Sequence, residues 1–431
     1  MRISGYFLII LVLIPSLART EETAVVAEKT KRLNLKTIIV DAKKDNPQIA
    51  AAKQEWLAQK AKVNQVRWWP DPQVGIMWEQ IPWQTLSLGD ASMRMLSISQ
   101  MFPFPGKLSI RGGMAGLSAE MAAEAYKTTE LEITTKAKKL YYELSFIYES
   151  IEINKKNKGL LERFVRIAQI KYEVGKAHQH DVLKAQVELS LMGDELITLE
   201  REKEITESKL NALLNRLIRF PLGIPKEDRI NPFKFKYEEL EKTALKNHPE
   251  LKGMDYAVKR SQSALSLAGM GYLPDFMVTY KQGEMQNMGT MSWDLGFFIN
   301  FPLWFWKQAS AVSEKEADKK AVEASYQSMK NMVVSKVQEA WAEAESAWRR
   351  VDLFQSSVLP QARQTMDAAT AAYETDKIDF LALINSQKML QDVELKYHRA
   401  IMKYAQGLAE VERAIGMELK QEVSSESFKE E

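Results

Sequence analysis

Tyr172-Glu173-Val174-Gly175-Lys176 returns 201 residues later as Tyr373-Glu374-Thr375-Asp376-Lys377. Each pentapeptide is followed at the same distance by a matching pair, Ala185-Gln186 and Ser386-Gln387, and the offset then holds to Leu214-Asn215 and Ile415-Gly416. Upstream, Phe102-Pro103 answers Phe301-Pro302, Lys107 answers Lys307, and Tyr126 answers Tyr326. Further up, Asn46-Pro47 through Pro70-Asp71 resembles His248-Pro249 through Pro274-Asp275, with two extra residues in the second copy. A repeat at one fixed period means one structural unit used twice in tandem. The copies are expected at 35–220 and 239–419. A signal peptide at 1–18, an N-terminal segment at 19–34, a linker at 221–238 and a polar tail at 420–431 complete the chain.

Both copies share one layout. A helix of about two dozen residues ends at the Pro-Asp; two alternating segments follow, joined by a polar, glycine-containing loop. A very long helical pattern then starts after Lys107 or Lys307 and runs to the pentapeptide. Gly175 or Asp376 breaks it, and a helix of roughly 38 residues returns, with Leu381, Ile384, Leu395, Met402 and Leu408 at helical spacing. About 65 residues at ~1.5 Å rise would span roughly 100 Å, the length of a coiled coil or helical tube. Pro360 in the second copy and Gly159 in the first are expected to bend or loosen both long helices at one height.

The alternating segments set the environment. Trp293, Leu295, Phe297, Ile299 and Phe301 oppose Asp294, Gly296, Phe298 and Asn300. Phe276, Val278 and Tyr280 oppose Met277, Thr279 and Lys281; Val74, Ile76 and Trp78 oppose Gln73, Gly75, Met77 and Glu79; Leu96 and Ile98 oppose Ser97 and Ser99. One apolar and one polar face, in segments near ten residues, is the pattern of a membrane β-barrel. Trp68, Trp69, Trp83, Trp293, Trp304 and Trp306 fall near segment ends, where interfacial aromatic belts form. Four strands cannot close a barrel, and an open sheet edge cannot sit in lipid. Several chains must share one barrel, eight strands from a dimer or twelve from a trimer; twelve leaves room for a passage. The fold class is mainly α with a β-barrel part.

Composition removes other classes. The 431 residues hold no cysteine, so disulfides, thiolate metal sites and Cys nucleophiles are excluded. A net charge of +2 without basic runs gives no nucleic-acid footprint. Arg2, the apolar run Tyr6 to Ile14, and small residues at Ser16 and Ala18 read as a secretory signal cut after Ala18.

The repeat, the hairpin between helices, the Phe102-Pro103-Phe104-Pro105-Gly106-Lys107 junction and the Tyr-x-x-Gly-Lys turn resemble TolC-type outer-membrane efflux proteins over Leu35 to Leu419. The resemblance implies a homotrimer: a twelve-stranded barrel in outer-membrane lipid and a twelve-helix tunnel in the periplasm. It implies a periplasmic adaptor protein and an inner-membrane pump as partners, and no cofactor. It places a periplasmic gate at Tyr373, Glu374, Asp376 and Asp379, and adaptor docking at Val174, Gly175, Lys176, Thr375 and Lys377. The acidic ring positions of the family's best-studied member correspond here to Ala382 and Asn385, with aspartates slightly earlier at Asp376 and Asp379, so the acidic constriction does not transfer residue by residue. The Phe-Pro-Gly-Lys junction and the lack of a lipid-bearing Cys resemble the heavy-metal cation branch, with organic-solute efflux or peptide secretion still open.

No catalytic constellation and no phosphate loop occur, so no enzyme is expected and conduction is passive. His178, His180 and Asp181 beside the first turn, and Met285, Met288 and Met291 in a loop, carry metal-binding donor types. A solvated turn and adaptable packing are the plainer readings, and no metal site is assigned. The rival to a channel is a periplasmic coiled-coil scaffold without a pore.

Overall fold

The computed structural model describes residues 32–81, 83–84, 87–175, 178–226, 231–285 and 290–419. The expected signal peptide, most of the N-terminal segment, the polar tail, Lys176 and Met288 lie outside the described residues. The elements follow the repeat. The first copy has α1 (Leu35–Asp45), α2 (Pro47–Arg67), β1 (Gln73–Glu79), β2 (Met93–Phe102), α3 (Lys107–Glu173) and α4 (Gln179–Leu213). The second has α5 (Tyr237–Asn247), α6 (Pro249–Gly269), β3 (Asp275–Met285), β4 (Thr290–Asn300), α7 (Phe305–Leu353), α8 (Leu359–Glu374) and α9 (Phe380–Ile415). None of the described helices is long and apolar enough to cross a membrane.

Local chemistry explains the boundaries. The Asn34 side chain accepts the Lys36 N–H at 2.9 Å and starts α1. Pro47 and Pro249 open α2 and α6, where a missing N–H is harmless. Gly175 and Asp376, equivalent by the repeat, stop the long helices with φ of +75° and +56°. Glycine takes that conformation freely, and aspartate is one of the few side chains that tolerate it.

The long helices answer the bend expectation differently. Between α7 and α8 one π-helical turn covers Phe354–Val358, and the Leu359 N–H reaches Phe354 O. Pro360 has no N–H to give and its ring crowds the preceding turn, so the helix takes up slack there. Gly159 does not interrupt α3, which runs unbroken for 67 residues. Glycine keeps its backbone donor, so the hydrogen-bond ladder continues through Gly159.

Contacts divide the chain into two units. One comprises 136–233 and 343–409 with the segment ending at Asn46; the other comprises 47–135, 234–342 and 410 onward. In the first, α3 buries Ala137, Tyr141, Leu144, Ile147, Ile151, Leu161, Phe164 and Ala168, at steps of three and four residues with one step of ten between Ile151 and Leu161. That is the seam of a helix packed by knobs into holes. The lower core joins Leu161 and Phe164 to Ala185 and Met192 of α4, Met366 and Tyr373 of α8, and Phe380, Leu383 and Ile384 of α9. Gly407 of α9 lets that helix approach α7 closely, since a Cβ there would stand 3.2 Å from Ala344 Cα. The linker is tied down by side chains: Tyr141 Oη donates to Lys226 O at 2.8 Å, and Tyr404 Oη to Asn231 O at 2.8 Å.

The second unit carries the antiparallel sheet, ordered β1-β2-β3-β4, so the two copies join through β2 and β3. Trp341, the repeat equivalent of Tyr141, donates from Nε1 to Phe235 O at 2.9 Å.

Candidate functional site: the strand face and the helix-tip turns

Register shows which residues share a face of the sheet. Val74 is opposite Ile98, Ile98 opposite Tyr280, and Tyr280 opposite Leu295. Phe102, Phe276 and Ile299 form another row, and Val278 meets Phe297. The neighbouring positions form the other face: Gly75, Ser97, Lys281 and Asp294 make one row, and Ser99, Thr279 and Gly296 another. Ser99 and Thr279 hydroxyls hydrogen-bond at 2.9 Å, and Lys281 Nζ lies 3.8 Å from Glu79 Oε1. The expected alternation therefore gives one mainly apolar face, interrupted by Gln100 and Gln282 and, toward the loop end, by Arg94 and Glu284, and a second face that carries Ser, Thr, Lys, Asp and Gly together with methionines and Phe298.

The apolar face is exposed to an unusual degree. Val74 is 67 % accessible, Phe297 74 % and Ile299 61 %. Exposed apolar area of this extent calls for an apolar surrounding. Trp304 and Trp306, at the start of α7, are exposed as well. β1 and β4 are the outer strands of the sheet in a single chain.

Where strand meets helix, Asp275 gathers the junction. Its Oδ1 accepts Lys107 Nζ at 2.8 Å and the Phe104 N–H at 2.8 Å, while Lys107 Nζ also donates to Leu273 O at 2.9 Å. Lys107 is buried, so this pairing is required rather than optional. The Phe-Pro-Gly-Lys junction is thus a clamp between the copies.

At the far end of the helices, the pentapeptide turns meet within the first unit. Lys171, in the last turn of α3, donates to Asp376 Oδ1 at 2.6 Å and to Tyr373 O at 3.0 Å. Its ammonium also sits 4.0 Å from the Tyr373 ring centroid. Tyr373 is buried, packed edge-on to Phe380 at 5.7 Å, and its hydroxyl has no hydrogen-bond partner. Burial, then the Asp181 and Asp376 carboxylates, push its pKa up. Among the expected gate residues, Tyr373 is a core side chain, while Glu374, Asp376 and Asp379 are exposed. Asp379 caps α9, its Oδ1 accepting the Ala382 N–H at 2.8 Å.

Of the expected docking residues, Val174 is exposed and Gly175 makes the turn, its N–H reaching Tyr172 O at 3.0 Å. Thr375 Oγ1 donates back to Ala371 O at 3.1 Å; Lys377 is exposed, and its N–H bonds Ala372 O at 2.9 Å. Asp181 accepts the His178 N–H at 3.2 Å and so caps α4. Among the described residues no group of three or more His, Asp or Glu is placed to hold a metal.

Sequence reading missed a buried polar layer just above the lower core. Gln387 of α9 donates to Asn157 Oδ1 of α3 at 3.1 Å, and both are buried. Asn154, one turn away and buried, has neither amide atom hydrogen-bonded; nor is Gln387 Oε1. The signal available was polar residues at positions of the apolar repeat.

The chain matches the outer membrane efflux protein family over residues 38–216 and 240–417. No curated protein sequence is a significant match. Among solved structures it is similar to the CmeC outer membrane channel of Campylobacter jejuni, at 15 % identity and TM-score 0.76, over 89 % of this chain and 85 % of that one. VceC of Vibrio cholerae matches at 15 % identity and TM-score 0.74, over 89 % and 96 %. The MtrE outer membrane channel of Neisseria gonorrhoeae, in its open state, matches at 15 % identity and TM-score 0.75, over 89 % of each. At such identity these likenesses speak to the fold.

Proposed function

We propose that this chain, which belongs to the outer membrane efflux protein family, assembles as a homotrimer whose twelve strands close a barrel in outer-membrane lipid. The helices continue the duct into the periplasm, where an adaptor protein and an inner-membrane pump deliver solute. One observation carries the reading: a four-stranded sheet with an exposed apolar face and outer strands β1 and β4. Unpaired backbone in hydrocarbon costs several kcal/mol per group, so those strands must pair with further copies. Two copies supply eight strands, a number that side chains fill; three supply twelve and leave a bore.

Conduction through such a duct is passive and needs no catalytic group, and energy enters through the pump. The solute class we assign is heavy-metal cations, following the resemblance of the Phe-Pro-Gly-Lys junction. Val174, Gly175, Lys176, Thr375 and Lys377 serve as the adaptor contact, and Glu374, Asp376 and Asp379 surround the aperture with Tyr373 bracing it from within. The copies span 35–220 and 239–419, joined by the linker at 221–238.

The test is mass measurement in detergent combined with single-channel recording. A trimer that conducts supports the reading. A species that stays soluble without detergent and never conducts would establish a scaffold instead.

A further inference from the structure

The strands place nearly all of their methionines on one face. Met77, Met93, Met95, Met101 and Met277 all fall on the face that carries Ser97, Ser99 and Thr279. The opposite face is built mainly from Val, Ile, Leu, Phe, Tyr and Trp, with Arg94, Gln100, Gln282 and Glu284 among them and Met291 as its one methionine, near the loop end. Plain space-filling does not account for this partition. β-branched and aromatic residues suit a strand better, and the chain uses them freely wherever only hydrophobicity is needed. Methionine adds a polarizable thioether on a flexible stem.

The positions are paired. Met77 is directly opposite Met95, near the loop end of the sheet. Met101 is directly opposite Met277, near the helix end. Directly opposite residues hold their Cβ atoms about 4.5–5.5 Å apart, and three rotatable bonds per side chain let both sulfurs reach a single ion. Each pair has an exposed member, Met77 at 41 % and Met101 at 42 % accessible, beside a more covered one. Met95 is buried because Gly283, directly opposite, makes room: a Cβ there would stand 2.7 Å from Met95 Cγ. Between the pairs lie Ser97, Ser99 and Thr279, hard oxygen donors that hold a soft ion weakly.

We propose that Met77–Met95 and Met101–Met277 are two thioether stations on the luminal wall of the barrel, giving weak and exchangeable coordination to a soft monovalent cation, Cu(I) or Ag(I). This rests on the channel reading, which makes that face luminal; threefold assembly then puts three copies of each station around the bore. Thioethers are neutral, so they select a soft ion without trapping it by charge, which a conducting path requires.

The probe is Ag(I), which needs no reductant, added to the full-length protein in detergent. Equilibrium dialysis compares the wild type with Met77→Leu/Met95→Leu, Met101→Leu/Met277→Leu and the quadruple variant. Leucine keeps volume and apolarity, so assembly is expected to survive. Each double variant should lose part of the bound silver, and the quadruple variant should bind at least ten-fold more weakly. Met93, Met285, Met288 and Met291 remain throughout, Met93 being directly opposite Met285. Wild-type binding by the quadruple variant would therefore assign silver to them and overturn the proposal, as would a wild type that retains none. X-ray absorption of the silver-loaded wild type is a second measurement that does not depend on any variant's assembly: sulfur neighbours are expected, and oxygen or nitrogen neighbours alone overturn the proposal. Potassium conductance should be unchanged in the quadruple variant. A wild type that binds silver but never conducts would retire the channel reading and leave the stations standing.

Discussion

Lys171 Nζ lies 2.6 Å from Asp376 Oδ1, so the last turn of the first long helix is bonded to the turn that ends the second. The two residues are 205 apart in the chain. Asp376 is more than half exposed, which limits the ion pair to under about 1 kcal/mol. The Tyr373 ring beneath the ammonium adds a contribution of about 0.5–1 kcal/mol. A bond this weak would yield readily to a competing partner.

Breaking it should loosen the aperture. Asp376→Asn keeps a residue that tolerates positive φ, and Lys171→Gln removes the ammonium. Each should raise the fraction of open time in planar bilayers several-fold, and the double variant should add little to either. Open time equal to wild type in both would show that the tether does not restrain the tip.

The exposed acids make a second claim there. If Asp376 and Asp379 line the aperture, Asp376→Asn with Asp379→Asn should lower cation preference and weaken block by multivalent cations. Asparagine at 379 still caps α9, so folding should hold. Unchanged selectivity alongside weaker adaptor binding would make these acids docking residues.

Strand faces can be checked by charge. Leu295→Arg or Phe297→Arg should block membrane assembly, at about 2–4 kcal/mol per subunit for an arginine at bilayer depth. Asp294→Arg or Asn300→Arg should assemble and shift ion selectivity. Heat-modifiable mobility on gels separates the outcomes; equal damage on both faces would refute the assigned environment.

The buried amide pair predicts a coupling. Gln387→Leu should lower stability by about 1–3 kcal/mol, because Asn157 Oδ1 is left buried without its donor. Adding Asn157→Leu should recover much of the loss. Thermal unfolding of the four proteins in the cycle measures this, and simple additivity would mean that the bond carries no weight.

His248 supplies a pH dependence. It is buried with Nδ1 unbonded, and burial, with Lys336 and Arg413 nearby, lowers its pKa against the opposing effect of Glu250. The folded state therefore disfavours the proton. Stability attributable to this residue is complete above the unfolded pKa of about 6.5 and is lost as pH falls below it. His248→Asn, the residue at the equivalent Asn46, should flatten that segment of the melting-temperature profile. An unaltered profile would place the dependence elsewhere.

Much of this protein was legible along the chain. The 201-residue offset, the helical spacing on α9 and the two-residue alternation of β3 and β4 are regularities of the chain itself, and the elements express them. They located the long helices, the turns at Gly175 and Asp376, and the apolar face containing Leu295 and Phe297. Pairing across the fold was not legible. Tyr373 stands in sequence among exposed acids, yet it is buried, because the turn at Asp376 rolls the last turn of α8 onto Phe380. Gly159 aligns with Pro360, yet the π-helical turn stands only beside the proline, since only it lacks a donor. Lys171 meets Asp376, and Gln387 meets Asn157, across 205 and 230 residues. Those meetings depend on how long helices are set against one another, which no local spacing encodes. The sequence determined the elements and their faces; the tertiary structure decided which polar groups would be buried together and which turns would hold each other.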